Sequence, residues 1–222
     1  MKRKIEKTES KKRQKEREKK KLRILAAGDI HGDISLVKKL AKKALERKVD
    51  LIILTGDITV DDYVPHGLLE PFAKTKKQVL LVPGNHETPA TADFLSKIYN
   101  NVRNIHGRAF KIGELGVFGC GSGNIGLFTL HESQIYSLLK KGYTKTKGTK
   151  KKLMVTHVHP SGTLMERFTQ IFPGSTGVRK AIKQFKPDIA ICSHVHEAGG
   201  IEEKLGKTKI INVGRKERII EI

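Results

Sequence analysis

Apolar residues in this chain gather into short aliphatic runs, each stopped by glycine, proline or a polar residue. Leu22–Ala27 closes on Gly28, Leu51–Leu54 on Thr55-Gly56 and Val79–Val82 on Pro83-Gly84. Leu153–Val155 and Ile189–Cys192 run into Thr156-His157 and Ser193-His194. Such runs predict buried strands. The stretches between them repeat at helical spacing. Asp33 or Ser35 can cap a helix reaching about Lys48, with Leu36, Val37, Leu40, Ala44 and Leu45 as its apolar stripe. Helices are also predicted over Pro65–Lys77, Thr91–Tyr99, Glu132–Lys141 and Ser175–Phe185. In the last of these Val178, Ala181, Ile182 and Phe185 share one side.

Strand and helix alternate through the first hundred residues, which signals parallel βαβ units. Continuously apolar strands fit a sheet covered on both faces. The middle changes character. Ala109–Ile112 and Leu115–Gly119 flank Gly113-Glu114 as a hairpin, Gly121-Ser122-Gly123-Asn124 is a glycine-rich loop, and Lys140–Lys152 reads as an exposed basic loop. Lys209–Val213 and Ile219–Ile222 close the chain as antiparallel strands. The prediction is one α/β domain over residues 22–222, with two layers of sheet flanked by helices.

Charge changes the picture at the N-terminus. The chain has 222 residues, with 44 Lys+Arg against 23 Asp+Glu and a formal charge of +21. Residues 1–21 hold twelve Lys/Arg and four Asp/Glu, so they read as a solvated basic arm, with nucleic-acid binding as the competing role. The rest of the chain is still basic, and such a field draws phosphate-bearing partners without choosing among them. Aromatics are 5% of the chain and there is no Trp, so the core is expected to be aliphatic. Cys120 and Cys192 fit no zinc spacing and read as two free buried thiols in a reducing cytoplasm. No apolar run approaches the ~20 residues that cross a bilayer, so no membrane association is expected.

The candidate chemistry sits where the strands end. Gly28-Asp29-Ile30-His31, Gly56-Asp57, Gly84-Asn85-His86-Glu87, His157-Val158-His159 and Ser193-His194-Val195-His196 each follow an apolar run. Carboxylate, amide and imidazole donors suit divalent transition metals, and ligands of open α/β sheets bind beyond the carboxyl ends of the strands. One sheet edge is expected to gather all five segments. A single Asp or His at a strand end is more often a cap or turn former; five such segments in order are not explained that way. His159, two residues past His157, is a candidate substrate contact, against a purely structural place. His66, His106 and His131 fall outside the motifs, and Asn124 reads as turn chemistry.

This ordered set resembles the signature of calcineurin-like metallophosphoesterases, over about Leu22 to Ile222. The half running from Thr156-His157 through Gly174-Ser175-Thr176-Gly177 to Ile191–Gly200 is most similar to the small class III-like phosphodiesterase branch. The resemblance implies a four-layer αββα fold and two divalent ions. One ion would be held by Asp29, His31 and His196; the other by Asn85, His157 and His194; Asp57 would be shared. The pair would hold a bridging hydroxide as nucleophile, at a spacing of roughly 3.5–4 Å. Asp57, Asn85 and His86 make up the implied catalytic set, with His86 assisting the leaving oxygen, Asn85 and His86 near the phosphoryl group, and Glu87 in support. Mn²⁺ is the expected metal, and Fe, Ni²⁺, Co²⁺ or Zn²⁺ would suit the same donors. The family commonly has glycine where Ser193 stands.

The function so implied is hydrolysis of phosphate esters, diesters first, with cyclic nucleotides and small phosphodiesters as candidate substrates. A nuclease is the alternative that the basic arm favours, although nuclease members of the superfamily usually carry an added capping domain. A non-catalytic scaffold, as in the retromer coat, lacks the catalytic His, whereas His86 is present here.

Overall fold

The computed structural model describes residues 21–222, so the predicted basic arm lies, but for Lys21, outside the described residues. Two sheets form the centre. The first is built from β1 (Arg23–Ala27), β2 (Leu51–Leu54), β3 (Gln78–Leu81) and β4 (Val102–Asn104), in parallel, with the last strand β11 (Arg218–Glu221) antiparallel on β1. Its helices are α1 (Ile34–Glu46), α2 (Glu70–Lys74) and α3 (Pro89–Ile98).

The second sheet has the order β5 (Ala109–Ile112), β6 (Leu115–Cys120), β7 (Lys151–Thr156), β8 (Ile189–Cys192), β10 (Thr208–Asn212) and β9 (Glu202–Leu205). Its four central strands are parallel and its two edges antiparallel. The helices α4 (Glu132–Thr144), α5 (Leu164–Thr169) and α6 (Thr176–Phe185) belong to this half.

The core explains the continuously apolar strands. In β1, Ile24 and Ala26 face the other sheet, together with Leu153, Ile191 and Val213. Leu25 and Ala27 face the helices, together with Val37, Leu40 and Phe72. On the far side Phe118, Met154 and Ala190 pack against Ile135, Leu139 and Val178. Three apolar layers between four layers of structure give the αββα sandwich.

Several elements depart from the sequence reading. The helix expected over Pro65–Lys77 shrinks to α2, because Gly67 turns left-handed at φ +71 where a helix cannot. Ala41 replaces Leu45 in the stripe of α1, and Leu45 is exposed. The basic loop begins later than expected, since α4 continues to Thr144, and β7 begins at Lys151. The two closing strands lie in different sheets: β11 pairs antiparallel with β1, whereas β10 sits between β9, antiparallel, and β8, parallel. β9, reading Glu-Glu-Lys-Leu, is a polar edge strand with no apolar run to reveal it. Both cysteines are free and buried.

Candidate metal centre

Each strand-end segment emerges at the carboxyl end of its strand. Asp29, Asp57 and Asn85 follow β1, β2 and β3 of the first sheet, whereas His157 and His194 follow β7 and β8 of the second. The donors thus meet across the mouth of the sandwich and not along one sheet edge. The two sheets face each other through an apolar layer, which brings their strand ends to one pole.

The chain bends hard to do this. Asp29 (φ 57), His31 (φ 48), Asp57 (φ 50) and His194 (φ 72) are all left-handed, a conformation that costs a non-glycine residue on the order of 1–3 kcal/mol. Backbone bonds between the loops help hold them, with the Asp29 amide donating to the Gly56 carbonyl at 3.0 Å and the His31 amide to the Asp57 carbonyl at 2.9 Å. Gly84 has to lack a side chain: a Cβ there would lie 2.0 Å from Asp57 Oδ1 and 2.2 Å from Asp57 N.

Two donor groups result. Asp29, His31 and His196 place one donor atom each within 4.8 Å of one another, and so do Asp57, His157 and His194. In the first, His196 Nε2 lies 3.3 Å from His31 Nε2 and 3.6 Å from Asp29 Oδ2. In the second, His157 Nε2 lies 3.4 Å from Asp57 Oδ2 and 2.9 Å from Asn85 Oδ1. Asp57 Oδ2 is also 3.8 Å from His31 Nε2, so this carboxylate faces both groups.

Neighbours fix the orientation of each donor. His157 Nδ1 donates to the Thr55 carbonyl at 2.9 Å, which turns Nε2 toward the site. Ser193 Oγ, 3.1 Å from that nitrogen, donates to the same carbonyl at 3.0 Å. Serine in place of the family's usual glycine therefore adds a support for His157. Asp57 Oδ1 accepts the His86 amide at 3.0 Å, and Asp29 Oδ1 accepts the His194 amide at 3.3 Å. Glu87 is fully buried and accepts from the amides of Gly84, Ile58 and Thr59, tying the β3 loop to the β2 loop.

The electrostatics are those of a crowded, dry cluster. Burial opposes ionising Asp57, but the His157 charge, its hydrogen bond and the His86 amide outweigh that and hold the carboxyl below its ordinary range. Burial also opposes a charge on His157, yet the Asp57 and Asp29 carboxylates push it up to about 9. Burial and then the His157 charge bring His194 down to about 3. Burial, partly offset by Asp57, lowers His31 to about 4, with Arg215 among the cations that add to the effect. Asp29 is raised, by burial first.

The donor set fits divalent cations. Asp29 Oδ2 and His194 Nε2 are buried without any hydrogen-bond partner, and an uncompensated buried donor is costly unless something else is bound there. Two carboxylates, an amide oxygen and four imidazoles are a mixed O/N set suited to transition metals.

His86 stands beside both groups. It forms a third cluster with His31 and Asp57, its ring edge-on to His31 at 5.0 Å. Its Nδ1 lies 3.4 Å from Asp61 Oδ1. Asp61 was missed in the sequence, where the pair Asp61-Asp62 after Gly56-Asp57 was the available signal. Asp62 also matters, because its carboxylate accepts the Thr88 amide at 2.8 Å and its amide donates to the His86 carbonyl at 2.8 Å. His159 is fully buried, and neither ring nitrogen finds a hydrogen-bond partner among the described residues. Burial lowers it to about 4, and its charge would weigh on His194. Of the remaining histidines, His106 accepts the Gly121 amide at 3.1 Å, His131 begins α4, and His66 is exposed.

A succession of strand-end carboxylates and imidazoles, converging on one pole of an αββα sandwich, defines a metal-dependent phosphoesterase. The profile of the calcineurin-like phosphoesterase family matches residues 22–198, and the chain belongs to that family. Among solved structures it is similar to the protein TT1561 of Thermus thermophilus, at 18% identity over 90% of this chain and 99% of that one, with a TM-score of 0.73. It is also similar to the phosphopantetheinyl hydrolase of Mycobacterium tuberculosis, at 11% identity over 90% and 96% of the two chains and a TM-score of 0.55. A dimetal phosphatase from Danio rerio aligns at 10% identity over 86% of each chain, with a TM-score of 0.54. No curated protein sequence matches the chain. Among the described residues no helix is long and apolar enough to cross a membrane.

Proposed function

We propose that this enzyme is a two-metal phosphodiesterase. Asp29, His31 and His196 would hold one ion, Asn85, His157 and His194 the other, and Asp57 would bridge them. The observation that carries the reading is the position of Asp57 Oδ2, 3.8 Å from His31 Nε2 and 3.4 Å from His157 Nε2, between two separate donor groups. Two divalent cations there, Mn²⁺ foremost, would supply hydroxide at neutral pH and neutralise phosphoryl oxygens.

The chain's own residues would do the rest. His86, half-buried beside His31 and with Nδ1 3.4 Å from Asp61 Oδ1, would give a proton to the leaving oxygen. Asn85 would orient the phosphoryl group from the second donor group. The full burial of His159 favours support of His194 over direct contact with substrate. The preference for diesters rests on the resemblance of the C-terminal half to the class III-like branch. The net positive charge of the chain supports an anionic substrate, and nucleic-acid cleavage is the second reading.

The test is a panel with Mn²⁺: bis-p-nitrophenyl phosphate, p-nitrophenyl phosphate, cyclic nucleotides and single-stranded RNA. The diesters are expected to turn over fastest. His86→Ala should cost about 10²–10⁴ in kcat, the worth of a general acid, with both ions still bound. A monoester preference, or full turnover by His86→Ala, would defeat the proposal.

A further inference from the structure

Several exposed hydrophobic side chains sit within a few residues of groups that touch the metal centre. Of the ten large hydrophobic side chains exposed among the described residues, seven lie on the connections that leave β2, β6 and β7, and the other three on the helices α1 and α3 that follow β1 and β3. Tyr63 (72% exposed), Leu127 (61%), Phe168 (62%) and Ile171 (77%) are the most open of these. Residues 121–130 of the β6 connection carry no charged residue, whereas Asp61, Asp62, Glu166 and Arg167 stand on the other two. Single exposed hydrophobics need no explanation; a set gathered around one site does.

All three connections are tied to the donor residues. The Asp62 amide donates to the His86 carbonyl at 2.8 Å, and the Phe128 amide donates to the Asn85 carbonyl at 3.2 Å. The Phe172 ring stands edge-on to His194 at 5.6 Å. Asn124 Nδ2 joins the second connection to the third by donating to the Pro173 carbonyl at 3.0 Å. The apolar side chains are therefore carried on a frame anchored to the same residues that would hold the phosphoryl group.

We propose that the organic group of the substrate is apolar: an amphiphilic phosphate ester whose phosphoryl sits on the metal centre and whose alkyl, aryl or acyl part lies on the rim of Tyr63, Leu127, Phe168 and Ile171. This rests on the phosphodiesterase reading above, because the metal centre decides where the phosphate goes. A sugar or a polyanionic chain would leave these side chains in water and gain nothing from them, whereas an apolar group removes them from it.

The experiment measures kcat/KM for p-nitrophenyl diesters of methyl, butyl and octyl phosphate, all with one leaving group, kept below the concentration at which they form micelles. A fully buried methylene is worth roughly fourfold and a half-buried one about twofold, so the butyl ester should exceed the methyl ester by about eightfold. In a Leu127→Ser/Phe168→Ser/Ile171→Ser variant that ratio should fall below about twofold. A Phe94→Ser/Ile98→Ser variant, altered on α3 outside these three connections, should keep the wild-type ratio. Co-sedimentation with phosphatidylcholine vesicles separates the two sources of such an ester: binding points to a membrane lipid, no binding to a free amphiphile. Turnover of all three esters with no dependence on chain length overturns this inference and leaves the diesterase standing. No turnover of any ester with both ions bound overturns the diesterase reading and this inference with it.

Discussion

Gly84→Ala puts one methyl group where the fold has no room for it. The added Cβ would lie 2.0 Å from Asp57 Oδ1, 2.2 Å from Asp57 N and 2.8 Å from Asp57 Cγ. Ordinary van der Waals contact starts at about 3.4 Å, so the β3 loop and Asp57 have to separate by more than an ångström. Neither side yields easily. Gly84 N is held by Glu87 Oε1 at 2.7 Å, and Asp57 Oδ1 by the His86 amide at 3.0 Å. Overpacking of this kind typically costs about 1–3 kcal/mol of stability, and misplacing a catalytic group by about 1 Å costs on the order of 10²-fold in rate. The two losses should appear together with a third, fewer bound ions, because the displaced carboxylate is the one proposed to bridge them. Circular dichroism melts, metal content by atomic emission and kcat on bis-p-nitrophenyl phosphate measure all three. A Gly84→Ala protein that keeps two ions per chain and a kcat within about threefold of wild type would refute the reasoning, since Asp57 would then not need its present position.

Further outcomes are expected. In the metal-free protein His157 is raised to about 9 with its charge favoured by Asp57, and a metal ligand has to be neutral; metal affinity should therefore climb by up to about tenfold per pH unit toward pH 9 and level off above it, and a pH-independent affinity by calorimetry would contradict this. The same raised value stabilises the metal-free fold fully below the ordinary histidine range and is lost as pH rises through about 9, so the melting temperature of the metal-free protein should fall between about pH 7 and 10. Ser193→Ala removes the donor to the Thr55 carbonyl but leaves His157 on it, so about 1 kcal/mol should be lost in denaturant unfolding; a loss above about 3 kcal/mol would mean that Ser193 does more than this. Burial raises the thiols of Cys120 and Cys192 far above the ordinary cysteine range, so thiol reagents should label neither until the protein unfolds, and rapid labelling of the native state would show otherwise.

Much of this protein was written locally. A run such as Leu51–Leu54, apolar on both faces and stopped by Thr55-Gly56, is a buried parallel strand wherever it goes, and Asp33 or Ser175 caps its helix through its own side chain. The donor residues were legible for the same reason: a chain that places Asp or His directly after a strand delivers it to the strand's carboxyl end by connectivity alone. Short polar or weakly patterned pieces were not legible. β4, β9 and α5 span only three to six residues, too short to show a period.

What only the tertiary structure decided is which strands share a sheet. Strands that are apolar on both faces give no sign of their neighbour, because either face satisfies burial, so the parallel pairing of β10 with β8 and the return of β11 to β1 were settled by contacts far apart in sequence. The same holds for the site. Asp57 and His157 stand far apart in the chain and on different sheets, and their approach to 3.4 Å depends on the apolar layer that seats one sheet against the other. The sequence by itself determined which donors reach the ends of the strands; the packing of two sheets face to face decided that those ends would meet.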